Sequence, residues 1–138
     1  MRADAVGPLS GRSGDAYRHV SNVSTLAAMF AIGLGLENVE EIAMAGLLHD
    51  IGLADVPVEI QSKHESQRSV LEKKQYERHP EFTVAILKAR NVQLSDKVFQ
   101  IIEQHHERKD GQGFPTGVRE VIVEAQLIAM ADEFDYLT

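Results

Sequence analysis

Leu48-His49-Asp50-Ile51-Gly52 ends an apolar helical run and is the stretch from which the rest of the chain can be read. A histidine followed directly by an aspartate sets a nitrogen ligand beside an oxygen ligand, so both can meet one metal ion. A carboxylate can also bridge two ions, which a lone imidazole cannot. Taken alone, the pair reads first as a histidine and an aspartate packed or solvated at a helix end, and it is the residues further along that favour a metal. The run before it, with Val39, Ile42, Ala43, Ala45, Leu47 and Leu48, is apolar over much of its girth, as in a central helix. Asn38 or Glu37 is expected to start that helix. Gly52 is expected to stop it by taking the left-handed conformation past the helix end.

Working outward, Val20, Val23, Leu26, Ala27, Phe30 and Leu34 recur at helical spacing and predict a helix from Asp15 to about Leu36. Residues 1–14 hold Gly7, Pro8, Gly11 and Gly14 with serines between them, and read as a flexible lead-in or linker. On the other side, Pro57 opens a short turn or helix, and residues 63–78 form a polar excursion with a helix around Ser69–Tyr76. His79-Pro80 begins a further helix, because proline is tolerated in a first turn. Ser95 is a candidate N-cap for a helix through Val98, Ile101, Ile102 and His105. Residues 107–119, with Gly111, Gly113, Pro115 and Gly117, are a loop. Residues 121–138 are helical again, with Leu127, Ile128, Ala131, Phe134 and Leu137 three and four apart. No alternating strand pattern interrupts this series. The expected fold is all-α, a bundle of five or more helices around one core, with a single domain over residues 15–138.

The chain has 138 residues, 43% of them hydrophobic and 25% charged, and a formal charge of −7. An acidic chain is poorly suited to tracking a nucleic-acid polymer. A small nucleotide remains admissible, since bound cations make a site locally positive. Without cysteine, any metal has to be held by His, Asp and Glu, a donor set that suits iron or manganese better than a thiolate zinc site. Neither a signal peptide nor a membrane-spanning run is visible, so the expected location is cytoplasmic, without membrane insertion.

Five of the six histidines fall at helix ends or on helices beside acidic residues: His19, His49, His79, His105 and His106. Asp15 and His19 are four apart and share a helical face, the spacing also of an ordinary surface pair. His79 before a proline reads as a boundary residue or a ligand. His105-His106 is a sharper signal, two adjacent histidines at a helix end before a glycine-rich loop. Asp132 follows Ile128-Ala129-Met130-Ala131, and a carboxylate that deep in an apolar helix has to be paired or coordinated. His64 is assigned to the surface.

In this order, His19, His49-Asp50, His79, His105-His106 and Asp132 resemble the HD-domain superfamily of metal-dependent phosphohydrolases. The stretch His105-His106-Glu107-Arg108-Lys109-Asp110-Gly111-Gln112-Gly113-Phe114-Pro115 looks like the signature of its HD-GYP branch, as do His49-Asp50-Ile51-Gly52 and the stretch from Ala131 to Thr138. The resemblance implies an all-helical domain with two or three divalent ions that hydrolyses the bacterial messenger cyclic di-GMP to the linear dinucleotide or GMP. It implies one ion held by His19, His49, Asp50 and Asp132, and a second held by His79, His105 and His106 and bridged by Asp50. Arg108 and Lys109 would add positive charge near the phosphates, and Asp15 would serve a third ion.

The chain departs from the family pattern in four places. Leu53 stands where the family usually has the lysine of H-D-I-G-K. Asp15 replaces a longer glutamate, and Phe114 replaces the tyrosine of G-Y-P. The chain stops at Thr138, before the basic residues by which family members grip the dinucleotide, so its domain reads as truncated there. Two rivals accompany the hydrolase reading. One is a catalytically weak sensor that keeps the metal and contacts a diguanylate cyclase or other signalling protein through the Gly111–Pro115 loop. The other is an oxidative di-iron enzyme, which the histidine pair and the D-G-x-G-x-P loop disfavour.

Overall fold

The structure, a computed structural model, describes residues 9–137, with side chains described from Asp15 onward. Among these residues it holds seven α-helices and no strand: α1 (Leu9–Gly33), α2 (Val39–Leu48), α3 (Val58–Gln61), α4 (Val70–Glu77), α5 (His79–Ala89), α6 (Asp96–Gln104) and α7 (Val123–Leu137). Short 3-10 turns follow α2 at Ile51–Asp55 and precede α4 at Glu65–Gln67.

The core is the sum of one apolar stripe per long helix. Val23, Ala27 and Ala31 of α1 meet Ile42 and Ala45 of α2, Val84 and Leu87 of α5, Val98, Ile101 and Ile102 of α6, and Ala125, Leu127, Ile128 and Ala131 of α7. Small residues let α1 and α2 pack closely. A Cβ on Gly46 would lie 2.7 Å from Ser24 Cα, and the Ser24 hydroxyl donates to Ala43 O at 2.7 Å. α1 then ends in a Schellman motif, with Gly35 at φ +75° and Leu36 N–H bonded back to Ala31 O.

The local start signals hold. Ser69 caps α4 with a full capping box to Glu72. Pro80 lies in the first turn of α5, and the Ser95 hydroxyl accepts from Val98 N–H at the start of α6. The polar excursion is nonetheless tied down. Arg68 donates to Ile60 O and Gln61 O, and Gln61 donates to Leu53 O and Val56 O. Asn38 occupies the N-cap position of α2 without capping it, and its amide instead donates to the buried Glu124 at 2.7 Å.

Two expectations are corrected. α1 begins at Leu9, six residues before Asp15. Glycine in a helix costs about 1 kcal/mol, which weakens helical preference without forbidding it. Residues 1–8 of the expected lead-in lie outside the described residues. Gly52, in turn, does not stop α2 by a left-handed turn. The positive-φ glycines among the described residues are Gly35, Gly111 and Gly117, and Gly52 is buried inside the 3-10 turn.

What Gly52 provides is room. A Cβ there would lie 2.2 Å from His79 O and 2.5 Å from Thr83 N, so the turn after His49-Asp50 presses directly onto α5. Gly52 N–H donates to the Thr83 hydroxyl at 2.7 Å, and that hydroxyl lies 2.9 Å from His79 O. Gly52→Ala is therefore expected to destabilise the fold by about 3 kcal/mol, the upper end of the overpacking range. Denaturant unfolding measures it, and a loss below about 1 kcal/mol would contradict this packing.

Candidate metal centre

Three buried histidines are aimed by one device. His49 caps the C-terminus of α2, His79 opens α5 and His105 caps the C-terminus of α6. The Nδ1 of each lies against the carbonyl three residues back: Gly46 O at 2.6 Å, Tyr76 O at 2.8 Å and Ile102 O at 2.6 Å. A carbonyl only accepts, so each Nδ1 carries a proton and each Nε2 is the nitrogen that would act as a ligand.

The carboxylates complete two groups. His19, His49, Asp50 and Asp132 bring ligand atoms within 4.8 Å of one another, and so do Asp50, His79, His105 and His106. Ligands about 2.0 to 2.5 Å from a common ion lie no more than about 5 Å apart, so both groups have coordinating dimensions. Asp50 belongs to both. Its Oδ2 lies 3.2 Å from His49 Nε2 and 3.8 Å from His19 Nε2, while its Oδ1 lies 3.7 Å from His79 Nε2. Asp132 Oδ1 lies 2.7 Å from His19 Nε2 and 3.3 Å from His49 Nε2.

The electrostatics of the adjacent histidines match such a centre. Burial pushes the His105 imidazole down from 6.5 to about 3, with His49 and His79 adding to the effect. Burial and then His105 hold His106 well below its ordinary value. Both are therefore neutral at physiological pH, the form that binds metal. His49 goes the other way. Burial alone would lower it, but Asp50 and Asp132 together raise it from 6.5 to about 10.

One atom tests whether the residues fit an ion. His105 Nε2 is buried and has no hydrogen-bond partner. An orphaned buried polar atom costs about 1 to 3 kcal/mol, which coordination by a cation would offset. The nitrogen and oxygen donors around it suit a hard or intermediate divalent ion.

The glycine-rich loop is braced beside this centre. The buried Glu107 carboxylate accepts from Thr116 N–H, the Thr116 hydroxyl and Gly117 N–H. Phe114 N–H donates to His106 O at 3.0 Å, and the Phe114 ring stacks on His106 with centroids 4.6 Å apart. Replacing the family tyrosine by Phe114 thus keeps a ring against a candidate ligand.

Two expected site residues are not brought in. Asp15 belongs to neither group and pairs with Arg18 at 3.6 Å, because a helical neighbour three residues on intercepts it. Arg108 is exposed and pairs with Asp110 at 2.9 Å, which anchors its guanidinium within the loop. Lys109 and His64 are likewise exposed. Three contributing residues escaped sequence reasoning: Asp135, Thr83 and Glu107. Asp135 stands three residues after Asp132, and Thr83 four after His79, so helical spacing from a ligand was a usable signal for both.

A family model described as "HD domain" matches residues 8–138. The chain is 32% identical over 131 residues to a cyclic di-GMP phosphodiesterase of Thermotoga maritima, covering 90% of this chain and 34% of that protein. It is 35% identical over 134 residues to the cyclic di-GMP phosphodiesterase response regulator RpfG of Xanthomonas campestris, covering 91% and 34%. It is 29% identical over 130 residues to a 3'3'-cGAMP-specific phosphodiesterase of Vibrio cholerae, covering 88% and 28%. The chain therefore spans about a third of the length of these relatives. Among solved structures, an HDG"Y"P protein from Bdellovibrio bacteriovorus superposes with a TM-score of 0.71 at 27% identity, covering 88% of this chain and 40% of that one. With its paired histidine–aspartate groups and this breadth of similarity, the chain belongs to the HD-domain family, in its HD-GYP branch.

Proposed function

We propose that the domain over residues 15–138 binds two divalent cations bridged by Asp50 and hydrolyses a phosphodiester bond of cyclic di-GMP. The observation that carries this reading is the sharing of Asp50 between two four-residue ligand groups. The names of the relatives supply the substrate class. We assign His19, His49, Asp50 and Asp132 to one ion, and Asp50, His79, His105 and His106 to the other. Iron or manganese suits their nitrogen and carboxylate donors.

When bound, the ions supply Lewis acidity toward a phosphate oxygen and a water acidic enough to attack at neutral pH. The chain contributes geometry. Asp50 fixes the spacing between the groups, and the Gly46, Tyr76 and Ile102 carbonyls hold the imidazoles in the ligating tautomer. Thr83 ties the turn after Asp50 to the helix that carries His79. Among the described residues no helix is long and apolar enough to cross a membrane.

A second reading, a weak sensor contacting a signalling partner such as a diguanylate cyclase, has two observations in its favour. Leu53, three residues after Asp50, stands where the family pattern has a lysine, and Arg108 is engaged by Asp110. The Gly111–Pro115 loop, braced by Glu107, would be its preformed contact surface.

The hydrolase reading is tested with the chain loaded with manganese, or with iron under reducing conditions, and given cyclic di-GMP. Linear dinucleotide should accumulate, cease with chelator and resume on metal return. Product formation that survives exhaustive chelation would overturn it. Chelation should also lower the melting temperature, because the cations bind only the folded arrangement. The pH dependence has a definite sign. Since His49 is raised to about 10, a cation has to displace its proton at neutral pH. Loading should therefore release protons, and affinity should strengthen as pH rises from 6.5 toward 10. Calorimetry in buffers of different ionisation enthalpy reads this out, and proton-neutral binding at pH 7 would contradict it.

A further inference from the structure

His19 is held differently from His49, His79 and His105. Its Nδ1 lies 2.6 Å from a carboxylate oxygen, Asp135 Oδ2, rather than against a main-chain carbonyl. The other oxygen of Asp135 accepts from Asn22 Nδ2 at 2.8 Å. Asn22 is three residues after His19 on α1, and Asp135 is three after Asp132 on α7, so each partner lies one turn beyond a member of the same ligand group. The Asp135 side chain is 17% exposed and that of His19 14%, so water screens their contact little. An ionised carboxylate only accepts hydrogen bonds, so Asp135 holds a proton on Nδ1, and Nε2, 2.7 Å from Asp132 Oδ1 and 3.8 Å from Asp50 Oδ2, is the nitrogen that faces the ligand group.

We propose that Asp135 is a positioning residue for one of the two cations, acting through His19. It fixes the tautomer and ring orientation of His19 and strengthens its Nε2 as a donor, while Asn22 sets the angle of the carboxylate. A carboxylate does this more strongly than a neutral carbonyl, since the hydrogen bond is charge-assisted. The group His19, His49, Asp50 and Asp132 thus depends on Asp135, and the group Asp50, His79, His105 and His106 does not. The inference rests on the metal-centre reading above and adds to it a residue outside both ligand groups.

The test is manganese binding by equilibrium dialysis with elemental analysis, on the unmodified chain, Asp135→Ala, Asp135→Asn, His19→Ala and the His19→Ala/Asp135→Ala double variant. Circular dichroism confirms native helicity in each. Asp135→Ala should weaken one of the two binding steps by about 10- to 100-fold and leave the other unchanged. Asp135→Asn, which can still accept from His19 but carries no charge, should fall between. In the His19→Ala background, Asp135→Ala should weaken binding no further, because its route to the ion is gone. Equal weakening of both steps, further weakening without His19, or unchanged affinity in Asp135→Ala would each overturn the assignment while leaving the metal centre intact. An unmodified chain that takes up no manganese would overturn the metal-centre reading itself, and the assignment with it.

Discussion

Asp50→Ala is expected to deplete both cation groups at once and to abolish hydrolysis while the helices remain folded. The two Asp50 oxygens face different groups: Oδ2 is 3.2 Å from His49 Nε2, and Oδ1 is 3.7 Å from His79 Nε2. Alanine takes one ligand from each group and removes the link that sets their spacing. The two ions together would contribute several kcal/mol of transition-state stabilisation. At about 1.4 kcal/mol per factor of ten, turnover should fall by about three powers of ten or more. Folding should be less affected, because Asp50 lies outside the apolar core formed by the long helices. Elemental analysis, cyclic di-GMP turnover and circular dichroism on one preparation check all three. A variant that retains two tightly bound ions would remove Asp50 from its bridging role.

Turnover by the natural chain is expected to be slow even when fully loaded, and Leu53→Lys is expected to raise it substantially. Leu53 lies three residues after Asp50 in the Ile51–Asp55 turn. Its carbonyl is pinned by Val56 N–H at 3.0 Å and by Gln61 Nε2 at 2.8 Å, so a substitution there changes the side chain on a fixed backbone. Leucine brings neither charge nor a donor to a reaction that accumulates negative charge on phosphate oxygens. A lost contact of that kind costs about 2 to 4 kcal/mol, or about two to three powers of ten in rate. The lysine variant should recover part of this in kcat, with little change in KM. An unchanged kcat in a metal-loaded variant would favour the sensor reading, and rapid turnover by the natural chain would remove the reason for the substitution.

Most of the fold is legible in local chemistry. Ser69, Ser95 and Pro80 mark helix starts because caps and first-turn prolines act within a few residues. The apolar stripes of α1, α2, α6 and α7 supply a common core, although Leu34, Leu47, Phe134 and Leu137 of the expected stripes are exposed. The ligand groups are legible only through the resemblance: local chemistry singles out the His105-His106 pair and Asp132 in its apolar helix as candidates, but by itself leaves His19, His49 and His79 open to ordinary roles. What escaped is tertiary. Gly52 reads as a stop signal until the turn is seen pressed against Thr83, 31 positions away. Asp135 gains its meaning from His19, 116 positions away. Asp15 and Arg108 carry suitable chemistry, but Arg18 and Asp110 engage them first.

The most direct measurement of the central claim is anomalous X-ray scattering from crystals of the chain grown with manganese. Two peaks are predicted, one on each side of the Asp50 carboxylate and within about 2.0 to 2.5 Å of its oxygens. The first should be ringed by His19, His49 and Asp132, and the second by His79, His105 and His106. A single peak away from Asp50, or manganese bound only at surface carboxylates, would contradict the account.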